Sequence, residues 1–129
     1  MRMIRGILPV LVLVGFVAAC TATGGQRTRS SRDTLTRSDL EQSMQVTAYE
    51  AIRQSRPAWL RIRGANSINA QNPIMVYVDG NRAGTVDVLE GIPVLSIERM
   101  RFYGPPEAQA RFGLNNTNGA IEVITRRGS

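Results

Sequence analysis

The rhythm of apolar and polar residues changes several times along the chain, and each change marks an element. Ile7 to Val17 is an apolar run, whereas Thr21 to Arg37 holds almost no apolar residue. Such a polar stretch cannot repay its ordering entropy, so a flexible tether is expected there. Leu40, Met44, Thr47/Ala48 and Ala51/Ile52 then recur at helical spacing. Ser38-Asp39-Leu40-Glu41 fits a capping box, with Ser38 as N-cap and Glu41 at N3. One helix over 39–55 is therefore predicted, its stripe facing the core and Pro57 just past its end. Trp59 to Arg63 alternates and reads as a strand with Leu60 and Ile62 inward. A polar loop follows to Pro73.

Ile74 to Val78 is a nearly continuous apolar run, as in a central strand covered on both faces. Asp79-Gly80 supplies a tight turn, with Gly80 free to take positive φ. Arg82 to Thr85 returns as a short strand, and Val86 to Ile92 is a helical turn stopped by Pro93. Ile97 to Tyr103 is the next strand, with Met100 and Phe102 on one face. Pro105 and Pro106 open a short helix ending near Gly113. Asn115 to Gly119 turns into the last strand, Ala120 to Arg126. The expected fold is α+β: one mixed four-stranded sheet with a hairpin and two to three short helices, built from residues 38–129.

The first 19 residues carry a different message. Arg2 and Arg5 precede the apolar run, and Ala18-Ala19 precede Cys20. A positive start, a short apolar core and small residues at the end make a secretory signal. The run is too short to span a bilayer, which takes about 20 residues. Val17-Ala18-Ala19-Cys20 resembles the bacterial lipobox, in which the cysteine thiol takes a diacylglyceryl group. The resemblance implies a membrane anchor at Cys20. With Thr21 rather than Asp after it, it also implies the periplasmic face of the outer membrane. Residues 20–37 would then be the lipidated cysteine and its tether.

Charge and composition narrow the function. The chain carries 16 basic and 10 acidic residues, a formal +6, and every basic residue is Arg. Without Arg2 and Arg5 the balance is 14 − 10 = +4. All-Arg usage fits either genome base composition or contact with an anionic surface such as lipid headgroups or polyanionic sugar. No basic helix or aromatic-and-Arg stripe points to nucleic acid. With no His, no Lys and one Cys, the usual nucleophiles, general bases and zinc ligands are missing, so no enzyme and no cofactor are expected. Glu98 and Glu122, on strands among arginines, read as surface ion pairs, and Asp79 as a turn residue. The Asn-rich loops Ala65–Asn72 and Leu114–Asn118 could serve a periplasmic small-ligand or glycan-binding module, the alternative reading, or be ordinary turn chemistry.

Four stretches, in order, resemble the plug domain of TonB-dependent outer-membrane receptors. Thr47 to Arg53 followed by Trp59-Leu60-Arg61-Ile62-Arg63-Gly64 is similar to the plug's early helix and strand. Pro73 to Gly80 is similar to its hairpin. Ile92-Pro93 with Ser96 to Met100 is similar to its next segment. Ala108 to Gly113 with Asn118 to Gly128 is similar to its ending. In that fold Gly80 allows the hairpin, Gly113 closes the short helix and Gly119 turns into the last strand. The alternating strands of a transmembrane barrel are absent. The resemblance thus implies a plug-like lipoprotein without its barrel, a non-enzymatic accessory or binding module of the envelope. Its partner would be an outer-membrane barrel or another envelope protein.

Overall fold

The computed structural model describes residues 32–62 and 72–127, and these form an α+β domain around one mixed five-stranded sheet. The elements in chain order are β1 (Thr34–Thr36), α1 (Arg37–Ser43), α2 (Ala48–Ser55), β2 (Met75–Val78), β3 (Asn81–Thr85), β4 (Ile97–Tyr103), α3 (Pro105–Phe112) and β5 (Ala120–Thr125). Short 3₁₀ turns lie at Pro57–Leu60, Val86–Gly91 and Val94–Ser96. The strands lie in the order β1-β4-β5-β2-β3. Only β2 and β5 run parallel; β1–β4, β4–β5 and β2–β3 are antiparallel.

The fifth strand corrects the expected count of four, and it comes from the stretch expected to be tether. Thr34–Thr36 pairs with Arg99–Arg101, and Leu35 is buried in the core. Three pairings and one buried leucine suffice to order the segment, so the domain begins before residue 38. Thr36 then caps α1. Its hydroxyl accepts from the Asp39 amide and the Asp39 carboxylate accepts from the Thr36 amide, a capping box two residues upstream of the one read at Ser38.

The single helix predicted over 39–55 is two. Met44 caps α1 in the left-handed region, at φ 52°, and Thr47 caps α2 by accepting from the Glu50 amide. Leu40, Ala48, Ala51 and Ile52 are buried as expected, whereas Met44 is not. The strand predicted at Trp59–Arg63 is also overturned. Pro57 starts a 3₁₀ turn that buries Trp59 beside Phe102 and leaves Ile62 exposed. Residues 63–71 lie outside the description.

The two faces of the sheet differ. On the helical face, Val76, Met100, Ile121 and Val123 join Leu35, Leu40, Ile52, Trp59 and Leu89 in the main core. Ile97 joins them although it is three positions from Met100, because the β4–β5 register slips between Ile97 and Arg99. Phe102 packs against the same core, so it shares a face with Met100. On the opposite face Met75, Tyr77, Tyr103 and Ala120 form a smaller cluster under Ala108 and Phe112 of α3.

Asp79 and Gly80 both take positive φ, 49° and 83°, the two-residue turn whose twist suits a hairpin. Asp79 also ties this turn to β5. Its carboxylate accepts from the Thr125 amide at 2.9 Å and from the Thr125 hydroxyl at 2.5 Å. Those two donors, hydroxyl first, hold the Asp79 carboxyl below its ordinary range. A depressed carboxyl stabilises above its unfolded value of about 3.9, and the gain is lost as pH falls through the lower folded value. Urea midpoints should therefore be flat from about pH 5 to 7 and fall below about pH 4. Asp79→Asn should flatten the acid limb and lower the neutral plateau by about 1 kcal/mol or less, since the group is exposed. An unchanged acid limb in Asp79→Asn would show that the link stores nothing.

Candidate docking surface

The break between α1 and α2 builds the most unusual surface of the domain. After Met44 the backbone runs beside the segment that follows the Val86–Gly91 turn. The Val94 amide donates to the Val46 carbonyl at 2.9 Å, the Ala48 amide to the Ile92 carbonyl at 2.9 Å, and Thr47 bridges Pro93. On this fixed frame three large apolar side chains stand in solvent: Met44 is 88%, Val46 74% and Leu95 74% exposed. They rim a groove of about 350 Å³ whose lining also includes Leu40 and Val94, with the Arg37–Glu41 ion pair, 2.7 Å, at its margin.

The Met44 amide caps α1 by donating to the Glu41 carbonyl at 3.3 Å, which any residue could do, while its side chain adds nothing to the core. Left-handed φ costs a non-glycine residue roughly 1–2 kcal/mol, and glycine is the usual occupant of such a cap. Burying a Met side chain would be worth about 1.5–3 kcal/mol, which this exposed one forgoes. The substitution Met44→Gly would make the fold more stable.

The sheet edges are poorer docking sites. β1 offers three residues. β3 is longer, but its pairing slips between Val76 and Tyr77, so that Tyr77 faces Arg82 and Val76 faces Gly84. A bulge and an arginine on an edge both discourage further strand pairing. A second cleft, of about 450 Å³, lies where the chain enters the domain. Its walls carry both signs of charge, Arg32 and Arg61 against Asp33 and Glu107, so it presents no single-sign field to a ligand.

The residues singled out from sequence are dispersed. Cys20 and residues 1–19 lie outside the described residues, as do residues 65–71 of the first Asn-rich loop. Asp79 and Gly80 form the hairpin turn, Gly113 caps α3 at φ 101°, and Gly119 opens β5 at φ 93°. Gly113 and Gly119 bracket one loop joined through Asn116, and the Asp79-Gly80 turn belongs to the hairpin instead.

Asn116 and Asn118 tie the second loop to its surroundings. Asn116 is buried, accepts from the Tyr77 hydroxyl at 3.2 Å and donates to the Gly113 carbonyl at 2.9 Å. Asn72 donates to the Thr117 hydroxyl at 3.0 Å and accepts from Asn118. Glu122 is not the surface residue expected, being 4% exposed. It faces α3, accepting from the Tyr103 hydroxyl at 2.8 Å and from Arg111 at 2.9 Å. Burial and that carboxylate, in this order, push the Tyr103 hydroxyl above its usual value. Glu98 is exposed as expected but forms no ion pair among the described residues, whereas Glu122 forms one with Arg111.

The apolar groove itself escaped sequence reading. Its signal was available: Thr47 and Glu50 stand at cap and N3 spacing, which ends one helix and begins another. Among the described residues no helix is long and apolar enough to cross a membrane. No model of a known protein family, no curated protein and no solved structure matches the chain.

Proposed function

We propose that the protein is a lipid-anchored component of the bacterial envelope whose small domain acts as a non-enzymatic docking module. The groove rimmed by Met44, Val46 and Leu95 is its binding surface. The observation that carries this reading is the convergence of three exposed apolar side chains on one hydrogen-bonded frame. Soluble domains scatter such residues singly, and a cluster marks a surface meant to be covered. The partner is an outer-membrane barrel or another envelope protein. The anchor at Cys20, the outer-membrane address and the plug-like character rest on the sequence motifs alone.

The test is a crosslinking pull-down from outer membranes with a tag after Ser129, run on the parent chain, Leu95→Asp, Met44→Gly and Cys20→Ser. Mass spectrometry of the Cys20 peptide should show the added diacylglyceryl group, absent in the control. One and the same envelope protein should be recovered with the parent and lost with both groove variants. Met44→Gly should meanwhile unfold at higher urea, gaining about 1 kcal/mol from relief of positive φ. A partner retained by both groove variants would overturn the assignment of the groove. An unmodified Cys20 peptide would overturn the anchor, whatever the groove does.

A further inference from the structure

The charges of the domain are sorted between its two sides. The helical side, made of α1, α2 with its cap Arg56, and the turn Val86–Gly91, carries Asp39, Glu41, Glu50, Asp87 and Glu90 against Arg37, Arg53 and Arg56, or 3 − 5 = −2. The opposite side of the sheet is basic. Side chains alternate along a strand, so residues flanking the inward Met100 point away from the helical core. Arg99 and Arg101 do so. Arg82 joins them, its guanidinium lying 3.8 Å from the Met75 sulfur of the small cluster. Arg101 lies 4.7 Å and Arg111 of α3 5.2 Å from the Tyr103 ring centre, which places them on this same face. Against these four arginines stand Glu107, the buried Glu122 and the exposed Glu98, which follows the inward Ile97 on β4, giving 4 − 3 = +1.

Neutralisation within this face is incomplete. Arg82 and Arg99 are exposed and form no ion pair among the described residues, and Arg101 meets Glu107 only at 3.9 Å. α3 is eight residues long, about 12 Å, and its buried contacts lie with Met75, Tyr77, Tyr103 and Ala120. It leaves the guanidinium groups of Arg82 and Arg99 in solvent. The result is a sheet face on which arginines outnumber carboxylates, on the side away from the apolar groove.

We infer that this arginine face seats the domain on an anionic phospholipid leaflet through Arg82, Arg99, Arg101 and Arg111. Two observations choose this occupant. The first is charge complementarity: the exposed Arg82 and Arg99, which form no ion pair among the described residues, can each meet a phosphate diester. The second is reach. Arg32 is the first described residue, and twelve Cα steps separate it from Cys20. Fully extended they span at most about 40 Å. Acylation at Cys20 would thus hold the face within that distance of headgroups. Seated in this way, the domain turns its helical side and the Met44–Val46–Leu95 groove toward the aqueous compartment. The groove and the face lie on opposite sides of the sheet, so either can fail without the other.

The test uses the chain from residue 20 onward, which contains every described element of the fold, carrying Cys20→Ser so that no acyl chain contributes. It is sedimented with vesicles of phosphatidylethanolamine containing about 30% phosphatidylglycerol and with neutral phosphatidylcholine vesicles. Binding to the anionic vesicles only is expected. It should fall about fivefold for Arg82→Gln or Arg99→Gln, about 25-fold for the pair, and disappear at about 1 M salt. Arg53→Gln, on the helical side, should bind as the parent does, and circular dichroism should show all variants folded. Equal binding to neutral vesicles, or binding unchanged in the folded double variant, would overturn the inference. So would retention by an anionic polysaccharide column with no vesicle binding.

Discussion

Gly119→Ala is expected to be the most damaging single-methyl change in the domain, costing about 3 kcal/mol or more. Two penalties coincide there. Gly119 sits at φ 93°, a backbone that side-chain-bearing residues rarely adopt. A Cβ built on it would lie 2.6 Å from the Tyr103 carbonyl oxygen and 2.9 Å from the Phe102 ring. Neither neighbour can yield cheaply. The Tyr103 backbone is paired with Ala120, and the Phe102 ring is stacked on Trp59 with centres 6.0 Å apart. In a domain of this size each kcal/mol shifts Tm by about 4–8 °C, so a fall of roughly 12–25 °C should be seen by circular dichroism. Gly80→Ala is the matched control. A Cβ there meets nothing within 4 Å, so only the positive φ is penalised, about 1 kcal/mol. Melting temperatures for the two variants within a few degrees of each other would refute the close-approach argument.

Arg111→Ala is expected to cost about 2 kcal/mol, although the residue is 51% exposed at its side chain. The loss arises at its partner. Glu122 is buried beside Tyr103 beneath α3, and without Arg111 its carboxylate keeps one neutral donor, the Tyr103 hydroxyl. Breaking a fully buried pair costs about 3–5 kcal/mol. Here the exposed arginine leaves a route for water, which lowers the figure. Part of the loss is packing, because the guanidinium also lies 5.3 Å from the Phe112 ring centre. The diagnostic comparison is the double variant Arg111→Ala/Glu122→Leu, which removes the stranded charge and should recover at least half of the loss. Urea unfolding of the single and double variants reads this directly. A double variant less stable than Arg111→Ala would show that the cost lies in packing and not in the carboxylate.

The hairpin, β4, α3 and β5 were legible because their signals are local. Asp79-Gly80 specifies its turn, Pro105-Pro106 starts a helix, and Gly119 precedes an apolar strand. The N-terminal third was misread where a pattern had two solutions. Leu40, Met44, Ala48 and Ile52 suit one long amphipathic helix, and period alone does not expose the Thr47 cap that breaks it. Leu60 and Ile62 suit a strand until Pro57 at a helical first turn is given weight. β1 holds one apolar residue, and its order comes from pairing with a strand 65 residues away, Leu35 opposite Met100. The groove is easily missed for a related reason. Met44 and Leu95 count as core in any hydrophobicity pattern, and only the folded backbone shows them outside it. Glu122 reversed the error, since a strand carboxylate near arginines reads as surface until α3 is known to cover it.

The position of β5 at the middle of the sheet has a consequence for how the chain acquires its structure. β5 is the last strand in sequence, yet it alone joins the β1–β4 pair to the β2–β3 hairpin. As the chain emerges N-terminus first, the hairpin can form early, but β1 must wait for β4, and the two halves stay apart until residue 125 is free. The closing contacts span 45 residues between β2 and β5, from Met75 to Ala120, so loop closure falls late and holds the rate down. A chain stopped before Ala120 lacks the strand that hydrogen-bonds β4 to β2, so its sheet is left in two parts. A chain delivered to its compartment N-terminus first would therefore hold an incomplete sheet until almost all of it had arrived.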